Sequence, residues 1–235
     1  MFRSLRDGYR ILVLGASGGI GRELCNAIEK DDRAGGVIRA SRSTSPSIDY
    51  GDEASLAQFA EQIASSGEKL DGILIATGIL NASDGSAPEK AFSQVSAQIS
   101  AEHFQTNATG PALAIKYFTP LLRRDDKTIV MALSARVGSI GDNGLGGWIS
   151  YRASKAALNQ IMHTAAIELN RKNAQNVCVA LHPGTIETEL SRPHARGKFT
   201  HTAEECANNL ISVLDNLSSE QTGGFFDYAG RSIAW

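Results

Sequence analysis

The sequence has few cysteines and no long apolar run, and each absence removes a class of protein. The three cysteines Cys25, Cys178 and Cys206 lack the paired spacing of a zinc or redox motif. We therefore expect buried, inert thiols and no metal site. No apolar run approaches the ~20 residues that span a bilayer, and the first residues carry no apolar signal segment. We expect a cytoplasmic protein with no membrane partner.

A strong charge of one sign is also missing. The formal net charge is -2 and the sequence pI is about 6.2, which gives no general attraction to nucleic acid or to an anionic surface. Hydrophobic residues make up 42% and charged residues 20% of the chain, a balance typical of folded rather than disordered proteins. With 235 residues, we expect one domain, spanning 1–235, around one sizeable core.

Short β-branched apolar runs alternate with longer stretches of helical period, which predicts repeated βαβ units. The predicted strands are 10–14, 36–40, 47–49, 72–76, 128–133, 176–181 and 224–227, and the predicted helices are 20–28, 55–65, 101–122, 151–171 and 203–217. Because right-handed crossovers connect such strands, the expected fold is α/β, a single Rossmann domain with a doubly wound parallel sheet of about seven strands and helices on both faces. Ligands of such sheets bind at the carboxyl ends of the strands.

A glycine-rich segment from Gly15 to Gly21 follows the first predicted strand and opens the first predicted helix. Small residues there allow a tight turn, a close approach of the backbone to a pyrophosphate, and close packing of the helix on the strand. The helix N-terminus adds N–H groups and a positive dipole end. The alternative is a purely structural turn. The predicted phosphate-binding residues are Gly15, Ser17, Gly19, Ile20 and Gly21.

Tyr151 and Lys155 are four residues apart at the start of a long predicted helix, so both side chains lie on one face. An ammonium near a phenol favours the phenolate, and we expect it to lower the pKa of Tyr151. Tyr151 is then able to exchange a proton with a carbonyl or alcohol oxygen near neutral pH. The alternative is a helix surface on which the two side chains merely neighbour each other.

Together, the glycine segment and the Tyr151-x-x-x-Lys155 pair resemble the short-chain dehydrogenase/reductase family over nearly the whole chain. Gly15, Gly19 and Gly21 match the spacing G-x-x-x-G-x-G of that family. The resemblance implies NAD(P)-dependent hydride transfer between a nicotinamide and a carbonyl or alcohol, with Tyr151 as acid/base and Lys155 both tuning it and contacting the ribose. Three segments are similar to the C-factor-like subgroup, and they are 132–140, 146–148 and 225–235.

The resemblance also implies a serine that orients the substrate oxygen, and two alignments are open. Alignment on the strand residues 129–130 assigns this role to Ser134. Alignment on 138–140 leaves Ala135 at the usual position and makes Ser139 the alternative.

Two further family features have matches in the chain. Asn107 corresponds to the asparagine that holds a water in a proton relay, and a polar helix residue bonded to backbone is the alternative. The turn after the sixth strand of the family holds the nicotinamide amide, and its matches here are Pro183, Gly184, Ile186 and Thr188.

The end of the second predicted strand favours NADP(H) over NAD(H). NAD-preferring domains usually carry an acidic residue there, whereas this chain has Ser41 and Arg42, which suit a 2′-phosphate. A solvated surface charge is the alternative for Arg42. The family resemblance places Asp49 near the adenine, with a turn or cap as its alternative role. Gly78 closes the segment 75–78, in which the two asparagines of the family's Asn-Asn-Ala-Gly are missing.

We expect a small-molecule carbonyl or alcohol as substrate, with the segments 139–148 and 191–202 as its wall. No nucleic acid partner is expected. The family assembles through helices that correspond to 101–122 and 151–171, which implies a homodimer or homotetramer. Two other functions compete with this one. The first is a nucleotide-binding sensor of the same fold with little or no turnover, and the second is a sugar-nucleotide epimerase, whose larger substrate domain does not fit in this length.

Overall fold

The computed structural model describes residues 1–195 and 197–235. One sheet contains β1 (Tyr9–Leu14), β2 (Ala34–Ala40), β3 (Gly72–Ile75), β4 (Thr128–Leu133), β5 (Asn176–His182) and β6 (Phe225–Asp227). The strand order is β2-β1-β3-β4-β5-β6, and every neighbouring pair is parallel. The order reverses between β1 and β3, as in a doubly wound α/β fold. The predicted fold class is confirmed.

The helices are α1 (Gly19–Glu29), α2 (Glu53–Ser65), α3 (Ala97–Phe104), α4 (Gly110–Phe118), α5 (Ile149–Lys172) and α6 (Ala203–Asn216). A π-helical turn at Gln105–Thr109 joins α3 to α4. The helix predicted for 101–122 is therefore interrupted where Asn107 lies. Across the described residues, no helix has both the length and the apolar character that crossing a membrane requires.

The strand residues alternate between two cores because successive side chains of a strand point to opposite faces. In β1, Ile11 and Val13 belong to the core that α1 and α6 cover, whereas Leu12 and Leu14 belong to the core that α2, α4 and α5 cover. All four side chains are fully buried, and each contributes about 1.5–3 kcal/mol by leaving water. A sheet covered on both faces explains why its strands are continuous apolar runs.

The prediction of a strand at 47–49 is wrong. This segment forms only an isolated bridge between Asp49 and Asp52, and Ile48 N donates to Ser41 O at 3.0 Å rather than to a neighbouring strand. The Asp49 carboxylate accepts a backbone N–H two residues further on, at 2.8 Å, and Asp52 already caps α2. A three-residue segment that turns at once into a helix has no length for a ladder. The described sheet therefore has six strands instead of about seven.

Candidate active site

Three clefts adjoin along the carboxyl edge of the sheet. We call them the inner cleft (about 370 Å³), the central cleft (about 590 Å³) and the outer cleft (about 530 Å³). The inner cleft is lined by residues that include Gly15, Ser17, Ser41, Arg42, Asp49 and Gly78. The central cleft includes Gly19, Ile20, Ser134, Tyr151, Lys155 and Pro183, and the outer cleft includes Leu80, Trp148, Gly184, Ile186 and His194.

The clefts share lining residues, so they form one continuous groove. The inner and central clefts share Ser17, Arg42 and Gly78. The central and outer clefts share Tyr151 and Thr188. The groove thus runs from the end of β2 to the loop after β5, at the edge where ligands of such sheets bind.

Backbone atoms leave no room for a Cβ at Gly15 or Gly21 in the turn between β1 and α1, and Gly19 faces the side chain of Thr188. Gly15 has a φ of +82°, and an added Cβ would lie 2.9 Å from the carbonyl carbon of Ala76. A Cβ added at Gly21 would lie 2.2 Å from the Gly15 carbonyl oxygen, and a Cβ added at Gly19 would lie 2.8 Å from Thr188 Cγ2. The N-cap residue of α1 provides no side-chain cap, so the first N–H groups of this helix are available to an anion at its positive end. The loop therefore fits a phosphate.

Tyr151 and Lys155 lie on one face of α5, and both are buried at the central cleft. Lys155 Nζ lies 6.0 Å from the centroid of the Tyr151 ring and donates to the Leu133 carbonyl oxygen at 2.8 Å. Burial raises the pKa of Tyr151 and lowers the pKa of Lys155 to about 8. The expected lowering of the pKa of Tyr151 by the ammonium is wrong for this structure, because loss of hydration on burial raises that pKa instead.

Asn107 joins the loop after β3 to α5. It is fully buried in the π-helical turn, a feature that is frequent at functional sites. Its Nδ2 donates to Ile79 O at 3.0 Å and to Ser154 Oγ at 3.1 Å, and its Oδ1 accepts from Ile79 N at 2.8 Å. A Cβ at Gly78 would lie 3.3 Å from both Asn107 Oδ1 and Lys155 Nζ. The backbone thus passes close to both predicted residues.

The two candidate serines have different surroundings. Ser134 lines the central and outer clefts, and its Oγ donates to Asn159 Oδ1 at 2.6 Å. Ser139 Oγ accepts a backbone N–H three residues further on at 3.1 Å. In the part of the chain that the structure describes, Ser139 lines none of the three clefts, while Ala135 packs against Tyr151. Ser134 is the candidate that lines the same clefts as Tyr151, and its hydroxyl proton is already donated to Asn159.

The end of β2 supplies one wall of the inner cleft. Ser41 is buried, with its Oγ 3.0 Å from Ser43 Oγ, and Arg42 is exposed beside it. Asp49 lines the same cleft, but its carboxylate accepts from Gly51 N at 2.8 Å. The turn-forming role that the sequence left open for Asp49 is therefore present in the structure, next to a position in the cleft.

The segment 75–78 keeps a side-chain hydrogen bond although it lacks the asparagines of the family. Thr77 Oγ1 lies 3.1 Å from Tyr50 Oη, and both residues line the inner cleft. Tyr50 was not among the predicted site residues. It lies in the turn directly after 47–49, the segment that was predicted as a strand. The strand prediction therefore gave no reason to expect Tyr50 in the groove.

The loop after β5 contributes to the central and outer clefts. Gly184 has a φ of +90°, and an added Cβ would lie 3.1 Å from a tyrosine ring carbon. Pro183 and Thr188 line both clefts, and Ile186, which is buried, lines the outer one. The structure therefore brings all four predicted residues of this turn to the groove.

The outer cleft is apolar around the Tyr151 ring. Leu80, Ala135 and Tyr151 form a small buried cluster, and Trp148 packs against it. The Trp148 ring lies 6.1 Å from the Tyr151 ring and 5.6 Å from the His194 ring, between centroids. A carbonyl compound that reaches the phenol from this side thus meets mostly apolar surface.

Both predicted wall segments contribute to the outer cleft. Leu145 and Trp148 come from 139–148, and His194 and Lys198 come from 191–202. Arg196, within the second segment, lies outside the described residues.

Sequence reasoning missed a buried polar group beside Tyr151. Glu89, His103 and Ser150 are 4%, 1% and 2% exposed. Ser150 donates to the Glu89 carboxylate through its backbone N at 3.2 Å and also through its Oγ. The His103 ring centroid lies 6.2 Å from that of Tyr151. Glu89 falls in a polar loop without periodicity, and no signal in its sequence neighbourhood marks it as buried.

Comparison with known proteins assigns the family. The model for the family named short chain dehydrogenase matches residues 9–198. The chain belongs to the short-chain dehydrogenase family. This match spans the glycine turn, the Tyr151 and Lys155 pair and the turn after β5, and it makes the protein a member of an oxidoreductase family.

Individual relatives extend the match. The chain is 29% identical to the 1-hydroxy-2-glutathionyl-2-methyl-3-butene dehydrogenase of Rhodococcus sp. (strain AD45), covering 96% of this chain and 99% of that one. It is 35% identical to the C-signal protein of Myxococcus xanthus over 57% of this chain and 78% of that one, which confirms the predicted kinship with the C-factor-like subgroup. An NADPH-bound carbonyl reductase from chicken fatty liver shares the fold, with a TM-score of 0.85 and 23% identity over 99% of this chain and 96% of that one.

Proposed function

We propose that this short-chain dehydrogenase transfers a hydride between NADP(H) and a small carbonyl or alcohol, with Tyr151 exchanging the proton and Lys155 assisting. One observation carries the proposal. Tyr151 lines both the central and the outer cleft, so a single phenol faces the space beside the glycine loop and the apolar space beyond it. A proton donor between a cofactor space and a substrate space is what reduction of a carbonyl requires.

The residues of the groove fit a dinucleotide. The turn at Gly15 and Gly21 leaves no room for a Cβ, and the start of α1 offers its N–H groups to a phosphate. Arg42 lines both the inner and the central cleft, where its guanidinium suits a 2′-phosphate. A bound nicotinamide would supply or accept the hydride. The structural neighbour from chicken fatty liver was solved with NADPH, which supports the preference for NADP(H).

The chain's own groups favour the direction of reduction near neutral pH. Burial raises the pKa of Tyr151, so the phenol keeps the proton that a carbonyl oxygen must receive. Burial also lowers the pKa of Lys155 to about 8, so most of its ammonium persists at pH 7 and disappears above pH 8. In this proposal the ammonium stabilises the phenolate that forms when the proton leaves.

The substrate that fits is a carbonyl compound with an apolar group. The outer cleft of about 530 Å³ is in the size range of small-molecule sites, and Leu80, Ala135 and Trp148 surround the phenol. The relative from Rhodococcus is named for a primary alcohol of a branched butene that also carries a glutathionyl group. That name supports reaction at an alcohol or its carbonyl, whereas the apolar preference rests on the lining of the outer cleft alone. Assembly into a homodimer or homotetramer remains a prediction from the family resemblance.

Titration with NADPH and NADH, followed by nicotinamide fluorescence, tests the cofactor part. We expect tighter binding of NADPH. A panel of apolar and charged ketones, monitored at the nicotinamide absorbance, then tests the reaction, and we expect turnover of the apolar members. A protein that binds neither nucleotide contradicts the proposal, and a protein that binds NADPH without turning over any ketone contradicts the reaction.

A further inference from the structure

The helix that carries Tyr151 begins without a cap of its own. Trp148, the N-cap residue of α5, has a φ of +54° and makes no side-chain cap hydrogen bond. The first N–H groups of a helix have no partner within it. Here the helix start is buried, since Ser150 is 2% exposed, so water does not replace the missing acceptors. A buried helix start needs acceptors from elsewhere in the chain.

Glu89, in the loop between β3 and α3, supplies acceptors for two backbone N–H groups at this helix start. Its buried carboxylate accepts from Ser150 N at 3.2 Å and from Ser150 Oγ, and its backbone carbonyl accepts from Trp148 N. Ser150 Oγ also lies 2.8 Å from Ser100 Oγ of α3. Burial opposes the charge of Glu89, but the hydrogen bonds from Ser150 and the nearby His103 outweigh it and hold the pKa of Glu89 below its usual value. An ionised carboxylate thus lies at the positive end of α5.

The same surroundings hold the ring of Tyr151. Tyr151 directly follows Ser150 in the first turn of α5, and its ring contacts His103 at 6.2 Å and Trp148 at 6.1 Å between centroids. His103 is itself fixed, with its Nε2 3.1 Å from the Leu80 carbonyl oxygen. A shift of the first turn of α5 therefore moves the phenol relative to both the central and the outer cleft.

We propose that Glu89 is a positioning residue, whose buried carboxylate caps α5 and thereby fixes the Tyr151 phenol between the central and outer clefts. Among the described residues that line the three clefts, Glu89 does not occur, so it acts through Ser150 and not on a substrate. The catalytic part of this inference rests on the proposed function, whereas the capping part rests on the hydrogen bonds alone.

The test compares Glu89→Ala and Glu89→Gln with a matched control, Glu205→Ala. Glu205 accepts from Thr202 N at 2.9 Å and from Thr202 Oγ1 at 3.0 Å within the capping box of α6, so it is also a carboxylate that stabilises a helix N-terminus. Amide hydrogen exchange, the NADPH dissociation constant, KM and kcat are measured on each full-length variant. The control separates loss of a helix cap in general from loss of the cap beside Tyr151.

In Glu89→Ala we expect the Ser150 amide to exchange about 10-fold faster or more, because it loses its acceptor. We expect kcat to fall on the order of 10- to 100-fold, since displacement of a reacting group by about 1 Å has such effects, with the NADPH dissociation constant nearly unchanged. Glu89→Gln keeps an acceptor oxygen and should recover most of kcat. Glu205→Ala should lower the melting temperature and leave kcat near the wild-type value.

Each contrary result refutes a different part of the inference. An unchanged exchange rate of the Ser150 amide in Glu89→Ala refutes the cap. Faster exchange with wild-type kcat, or an equal loss of kcat in Glu205→Ala, refutes the positioning role. If Glu89→Ala does not fold, Ser150→Ala replaces it, since this variant removes the Oγ contacts with Glu89 and Ser100 but keeps the backbone bond to Glu89. A wild-type kcat in Ser150→Ala then refutes the positioning role. A wild-type protein without turnover refutes the proposed function, and hydrogen exchange still decides the cap.

Discussion

Replacement of Lys155 by methionine is expected to change how stability depends on pH. Lys155 is 3% exposed, and burial lowers its pKa from 10.5 to about 8. Below pH 8 both the folded and the unfolded chain carry the ammonium, but only the folded chain holds it out of water. A shift of roughly 2.5 pKa units, at about 1.36 kcal/mol per unit, destabilises the folded protein by about 3 kcal/mol at pH 7.

This cost disappears as the pH rises. Between pH 8 and pH 10.5 the unfolded chain binds a proton that the folded protein has released, so the contribution of Lys155 to stability increases with pH across this window. Lys155→Met keeps the approximate volume and does not titrate. The free energy of unfolding of the variant, minus that of the wild type, should therefore fall by about 2 to 3 kcal/mol between pH 7 and pH 10. The Leu133 carbonyl, which loses its donor, adds a constant that does not alter this slope.

Urea unfolding monitored by circular dichroism, at intervals from pH 7 to pH 10 and without nucleotide, measures the difference. Lys172→Met is the control, because Lys172 is 49% exposed in its side chain and paired with Glu168, so its difference from the wild type should stay flat. Parallel pH curves for wild type and Lys155→Met would refute the reasoning, since they would mean that Lys155 keeps an ordinary hydration in the folded protein.

Three further predictions concern the groove. In Gly21→Ala the new Cβ meets the Gly15 carbonyl oxygen at 2.2 Å, so NADPH affinity, measured by fluorescence, should fall at least about 10-fold; unchanged affinity contradicts the assigned loop. Arg42→Ala should weaken NADPH binding on the order of 10-fold and leave NADH binding nearly unchanged. Equal weakening of NADPH and NADH binding would contradict a contact between Arg42 and the 2′-phosphate. Ser134→Ala should lower kcat more than Ser139→Ala, because Ser134 lines the clefts, and steady-state kinetics showing the reverse order would favour Ser139.

Those parts of the fold that depend on chain periodicity could be predicted from the sequence. The strands at 72–76, 128–133 and 176–181 are buried apolar runs, and their positions in the sheet agree with the prediction to within one or two residues. The glycine turn and the Tyr151 and Lys155 pair were found because turn geometry and helical spacing are local properties. Both are visible in a few consecutive residues.

The errors and omissions have different physical causes. The segment 47–49 has strand composition, yet the Asp49 turn and the Asp52 cap follow it so closely that no ladder forms. Glu89 is 61 residues from Ser150, and no local sequence pattern predicts the hydrogen bond between them. The pKa of Tyr151 was predicted with the wrong sign because spacing shows the nearby ammonium and not the burial of both groups.

The proposed reaction requires the phenol of Tyr151 to give a proton to a substrate oxygen in the groove. NADPH oxidation with an apolar ketone, compared between the wild type and Tyr151→Phe at equal nucleotide saturation, tests this most directly. Loss of the general acid should lower the rate on the order of 10²- to 10⁴-fold, while NADPH affinity stays nearly the same. A Tyr151→Phe variant that reduces the ketone at the wild-type rate would contradict the role of Tyr151 as proton donor.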